Sequence, residues 1–209
     1  MRVSMLSTYA ACLFCVSLAM STPTEAEKRE ESAAESYVAP NGKAVVVLVR
    51  NRALLGSVKF RVVDQKRRCR GMLKGRSHSG MVIKPGKHKL YILAAKRVIQ
   101  AERVDAKVTA GRTYIIETRP RARMKERVDV ETVRRGTPRF DEATHWIAGT
   151  KSISRDLTEC TQWVAKKSSK ISAAISAAEQ EWEMSGDFYQ NARTLRPQDG
   201  RTKKEIVDF

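Results

Sequence analysis

From Asn41-Gly42 to Val133 the chain sets short β-branched runs between Gly or Pro turns, which predicts an antiparallel all-β domain. Ala44 to Val49 is apolar without interruption, the pattern of a strand buried on both faces. Val58, Phe60 and Val62 alternate with Lys59 and Arg61, so the next strand has one face on a core and the other in water. A short element is expected around Met72 and Leu73, between Gly71 and Gly75, and another strand at Met81 to Ile83. Pro85-Gly86-Lys87 supplies a fixed φ and then a residue that accepts positive φ, a turn that predicts His88 to Ala94 as the returning partner strand. Val104, Ala106 and Val108 alternate with charged neighbours, and Ala110-Gly111-Arg112 predicts a second hairpin into Thr113 to Thr118. Arg127 to Val133 is the last strand of this pattern. About seven or eight strands in roughly 90 residues suit a small β-sandwich.

Gly136-Thr137-Pro138 ends the β pattern, and Phe140 to Trp146 reads as a connection. Cys160, Val164, Ile171, Ile175, Ala178 and Trp182 then fall at helical steps, predicting one amphipathic helix from Asp156 to Met184 that ends before Gly186. Lys167 interrupts its apolar stripe and Ser168-Ser169 lowers helix propensity, which marks the place for a break. The tail from Arg196 is polar and is expected to be loose.

The N-terminus changes the picture from fold to destination. Met1-Arg2 is followed by an uncharged run to Met20, the form of a signal peptide, with Ser17-Leu18-Ala19 as the expected cleavage site. Lipidation at Cys12 is the weaker expectation, because Tyr9 replaces the usual Leu and the chain after Cys12 stays apolar. The organisation is therefore a leader at 1–19, a Glu-rich acidic linker at 20–42, a sandwich at 43–134, a connection with a helical extension at 135–195, and a polar tail at 196–209. Removal of the leader leaves Cys69 and Cys160, which in an oxidising compartment either form one disulfide or stand as separate thiols.

The stretch from Lys43 to about Thr118 resembles PEGA-like domains and a related family of bacterial exported domains of unknown function. The resemblance is carried by Ala44-Val45-Val46-Val47-Leu48-Val49, Val62-Val63-Asp64, Pro85-Gly86-Lys87-His88-Lys89-Leu90 and Ala110-Gly111-Arg112-Thr113-Tyr114, in that order. It implies a small β-sandwich of the kind shared with carbohydrate-binding and prealbumin-like domains, and it brings no catalytic residues with it. Gln65-Lys66 stands where the family has a Gly after its Val-Asp, which implies a longer or bulged loop there.

Forty Lys and Arg against 23 Asp and Glu give a net charge of +17, an excess that attracts polyanions. Lys66, Arg67, Arg68, Arg70, Lys74 and Arg76 form the sharpest candidate for an anion-binding site, and Arg119, Arg121, Arg123, Lys125 and Arg127 form a second basic group. Aromatic residues do not interleave with these charges, which together with export disfavours nucleic acid. His78, His88 and His145 show no metal-ligand spacing, no nucleophile elbow, phosphate loop or zinc-protease helix occurs, and no cofactor is expected. The expectation is a non-enzymatic exported domain whose basic surface meets an anionic envelope polymer or lipid headgroup. The alternative is a protein partner bound through the C-terminal helix at Trp163, Ile171, Ile175 and Trp182.

Overall fold

The computed structural model describes residues 37–52, 58–95, 98–120, 128–153 and 156–207. The leader, Cys12 and most of the acidic linker lie outside the described residues, as do Arg121, Arg123, Lys125 and Arg127 of the second basic group.

The β-branched runs form β1 (Ala44–Arg50), β2 (Lys59–Asp64), β3 (Cys69–Lys74), β4 (Ser77–Ile83), β5 (Gly86–Ala95), β6 (Ile99–Val108), β7 (Thr113–Pro120) and β8 (Val128–Thr132). Two further strands, β9 (Lys151–Ser152) and β10 (Thr194–Leu195), come from the stretch assigned to the helical extension and are too short to show a period. They assemble into two five-stranded sheets, ordered β8-β7-β1-β4-β9 and β10-β6-β5-β2-β3. The inner faces meet through Val46 and Leu48 of β1, Phe60 and Val62 of β2, Leu90 and Ile92 of β5, and Tyr114 and Ile116 of β7.

Both sheets are mixed, which corrects the antiparallel expectation. β1 runs parallel to β7, β4 to β9, and β6 to β10. The reason lies in the turns. Pro85-Gly86 does not join a hairpin: β4 pairs with β1, whereas β5 pairs with β2 and β6 in the other sheet. Ala110-Gly111 likewise carries the chain from β6 in the second sheet to β7 in the first. A tight turn reverses the chain equally well between layers as within one, and here Ile83 and Leu90 both face the shared core, so burial selects the corner.

The outer faces are covered as well. Phe140, Ala143 and Ile147 of α1 (Pro138–Ala148) pack on Val45, Val47 and Val49. Burial of β1 from both sides is why its whole run is apolar. Pro138 in the first turn and Asp141 behind it start α1, so the expected connection at Phe140 to Trp146 is helical. On the opposite face the predicted single helix divides at Lys167 into α2 (Thr158–Lys166) and α3 (Ser168–Met184). Ile171, Ala174 and Ala178 line the buried side of α3 against Val63, Tyr91, Leu93 and Ala101, and Trp182 is buried at the end of the same side between Arg103 and Tyr189. Each large apolar side chain buried there contributes about 1.5 to 3 kcal/mol.

Cys69, at the start of β3, is bonded to Cys160 of α2 with Cα atoms 6.0 Å apart, closing a loop with a separation of 91 residues. Such a cross-link stabilises by about 4 kcal/mol, chiefly by restricting the unfolded chain.

Both ends of the described chain are built in. Tyr37, within the predicted linker, lies over Gly80 so closely that any Cβ there would stand 2.4 Å from its ring. The polar tail is not loose. After α4 (Asp187–Ala192) and β10, Arg201 exchanges backbone hydrogen bonds with Thr113, and a short α5 (Lys204–Val207) follows. Arg135 donates to Glu205 and to the Gln198 and Gly200 carbonyls, which holds the tail against the start of α1. Polar composition hid this because the docking is made by charged and backbone groups. Among the described residues no helix is long and apolar enough to cross a membrane.

Candidate anion-binding site

The β2–β3 turn is organised by one carboxylate. Asp64 Oδ1 accepts the backbone N–H groups of Lys66 (2.9 Å) and Arg68 (3.0 Å), which closes the loop as an Asx turn. Its Oδ2 accepts from Arg68 Nε (2.8 Å) and Arg70 Nε (3.0 Å), with the Nη2 atoms of both at 2.8 and 2.9 Å. Burial alone would raise this carboxyl, but the Arg68 amide and the two guanidiniums outweigh it and hold it below its ordinary value. Arg67 takes φ +59° to complete the turn, and the β2–β3 ladder slips between Val62 and Val63, so Arg70 is the extra residue of a bulge.

These side chains stand at one end of the sandwich, around a pocket of about 530 Å³. Among the described residues Lys66, Arg68 and Arg70 line it with Lys43, Lys84, Lys87 and Lys89, seven cations against one acid, Asp64. The sheet registers explain the gathering. Ala44 pairs with Ile83, so Lys43 and Lys84 stand together one step beyond the end of β1 and β4. Asp64 pairs with Leu90, which brings the β2–β3 turn beside the start of β5. His88 Nε2 donates to the Lys84 carbonyl at 2.8 Å and fastens the corner that carries Lys84 and Lys87. Lys89 is already held by Glu179 at 3.1 Å.

The predicted cluster is thus divided. Lys66, Arg68 and Arg70 face the pocket. Arg67 shapes the turn without lining it, Lys74 lies at the far end of β3, and Arg76 donates to the Gly149 carbonyl at 3.2 Å. Lys43, Lys84 and Lys87 were missed, since nothing local joins them to the arginines. Arg119, from the second basic group, is engaged by Glu131 at 2.6 Å and Asp129 at 3.6 Å.

The residues considered for a partner helix pack inside the molecule. Ile171 and Trp182 are buried, Ile175 and Trp163 are partly buried on the second sheet, Arg61 stacks on Trp163 at 4.1 Å, and Arg103 on Trp182 at 4.5 Å. Arg103 also bridges to Glu179 (2.7 Å) and Asp105 (2.8 Å), which ties α3 to β6.

His78 is buried under Tyr37, with Nδ1 2.7 Å from Thr150 Oγ1, and burial pushes its pKa down to about 4. Among the described residues no group of three His, Cys, Asp or Glu is placed to hold a metal ion. No family model matches this chain, and no curated protein matches it.

Proposed function

We propose that this chain is a non-enzymatic binding module of the bacterial cell envelope, exported by its N-terminal leader, whose basic pocket engages an anionic glycan or lipid headgroup. One observation carries the reading: six cations from three separate segments, Lys43, Lys66, Arg68, Arg70, Lys84 and Lys87, converge on one pocket with a single acid among its described lining residues. Charges drawn together from distant parts of a chain repel one another, and an anionic ligand offsets that cost. The Cys69–Cys160 bond supports an oxidising compartment, and the leader pattern supports the route to it. Among the described residues no Phe, Tyr or Trp lines the pocket, which disfavours a stacked nucleic-acid strand. The turn motifs that resemble PEGA-like sandwiches fit the same kind of carrier domain.

The test is sedimentation of the purified chain with phosphatidylglycerol vesicles and with neutral vesicles across a salt series. Salt-sensitive retention on the anionic vesicles alone, abolished in an Arg68→Ser, Arg70→Ser, Lys84→Ser variant, supports the proposal. Equal retention on both surfaces, or no loss in the variant, sinks it.

Binding of a protein partner near the C-terminal helix stays as a second reading on one observation. Met184 and Phe188, at the end of α3 and in α4, are 82% and 89% exposed.

A further inference from the structure

β4 is the last long strand of its sheet, and β9 pairs with only two of its residues, Ser77 and His78. Successive residues of a strand turn their backbone groups to opposite sides, and two bonds fix the phase here. Ile153 N–H donates to the His78 carbonyl at 2.9 Å, on the side of β9, and Val45 N–H donates to the Arg112 carbonyl at 3.0 Å, away from β4. Ser77, Ser79, Met81 and Ile83 therefore bond to β1, whereas Gly80 and Val82 turn their N–H and C=O groups outward. Among the described residues none of these four groups has a partner. Tyr37 lies where a Gly80 side chain would point, on the face of the sheet and not along its edge. A bare edge is a template for another strand, and proteins normally close it. β3, the adjacent edge of the other sheet, carries α2 through the Cys69–Cys160 bond.

There is room beside the open edge. β3 and β4 touch where a Cβ on Gly71 would stand 3.6 Å from Ser79 Oγ, and next to that contact lies a cavity of about 230 Å³ lined by Arg70, Ser79, Gly80, Met81, Val82 and Leu157. The Val82 side chain, 42% exposed, offers an apolar contact alongside. Arg70 and Val82 also line the basic pocket, so the edge leads directly to Arg68 and Lys84. Main-chain bonds to a sheet edge give affinity to any extended peptide, and cations at one end of it select acidic side chains.

We infer that the open edge of β4 is a docking site for an extended acidic peptide of a partner protein, which adds a strand through the Gly80 and Val82 backbone and sets its acidic end against Arg70 and Lys84. The inference goes beyond the anion-binding reading, with which it shares only the basic end of the groove.

Fluorescence anisotropy on the full chain tests it with two labelled octapeptides, Glu-Glu-Thr-Val-Thr-Val-Thr-Val and the reversed sequence, because a strand can join β4 in either direction. At least one is expected to bind, and about tenfold or more tighter than the same peptide with its backbone N-methylated, which keeps the charge and loses the donors. Replacing its two Glu by Gln is expected to weaken it about tenfold as well. Val82→Pro removes a donor from the open edge and none from the β1 ladder, and is expected to weaken the peptide to the same degree. The N-methylated peptide keeps the test decisive if that variant folds poorly. In hydrogen exchange the Val82 amide should be fast in the free chain, beside a protected Met81, and slow about tenfold when the peptide is bound. Equal binding of the N-methylated peptide, or a Val82 amide already protected in the free chain, overturns the inference and leaves the anion site standing. If neither octapeptide binds, the edge site falls, and the vesicle experiment decides the anion site separately.

Discussion

Two populations of cation live in this molecule, and they differ in burial and in what they touch. Along the seams between sheets and helices, Arg61, Arg103, Arg193 and Arg201 are buried against aromatic rings, 4.1 Å from Trp163, 4.5 Å from Trp182, 3.7 Å from Tyr189 and 3.8 Å from Phe140. Burial lowers the pKa of Arg201 to about 10, a measure of how far it has been withdrawn from water. At the pocket mouth Lys66, Lys84 and Lys87 stay exposed to solvent. A net charge of +17 counts both groups alike, so bulk charge overstates the surface available to a polyanion. Some of the basic residues hold the layers together instead.

The contrast is broken most directly at the seam. Trp182→Ala removes the platform under Arg103 and the ring against Tyr189, leaves a cavity where a buried indole stood, and is expected to cost about 3 to 5 kcal/mol in denaturant unfolding. A loss under about 1 kcal/mol would mean that α3 is held by something other than this face. Glu179→Ala comes next at about 2 kcal/mol, because it strips Arg103 of one of its two carboxylates and leaves the buried Tyr91 hydroxyl without its acceptor.

Glu205 probes the border between the populations. The Arg135 guanidinium, helped by the Thr202 amide and hydroxyl, lowers its carboxyl to about 2. The folded pKa is depressed, so its contribution is present above the unfolded carboxylate value and is lost as pH falls toward about 2. Acid unfolding curves of wild type and Glu205→Gln should therefore converge over that window, with the wild type ahead only at the higher pH. Smallest of all is the mouth: Lys43→Ser, Lys84→Ser, Lys87→Ser is expected to leave stability within about 0.5 kcal/mol while removing anion binding. A large loss of stability there would erase the distinction between the two populations.

How much of this was legible from the sequence depended on whether the cause was local. The unbroken run Ala44 to Val49 announced a strand covered on both sides, and α1 and the opposite sheet are what cover it. Lys167 and the serines after it marked the helix break, because a gap in the stripe and weak propensity act at the same residue. Turn chemistry placed the reversals but not their direction, since Pro85-Gly86 fits a hairpin and a corner between layers equally. In the site, Lys66, Arg68 and Arg70 were visible as neighbours in sequence. Lys43 joined them only through the Ala44–Ile83 register, and no single segment carries that signal.

The order in which the strands pair has a consequence for how the molecule can be built. β1 gains its parallel neighbour only when the chain has reached Glu117, β6 waits for Leu195 to receive its edge strand, and Thr113 waits for Arg201. A chain that emerges from its N-terminus therefore holds its second sheet unfinished until Leu195 is free. Long-range pairing of this kind folds slowly, and here it couples the completion of the second sheet to the arrival of Thr194 and Leu195. Removing residues 194 to 209 should leave every strand of the first sheet present and β6 without its edge neighbour.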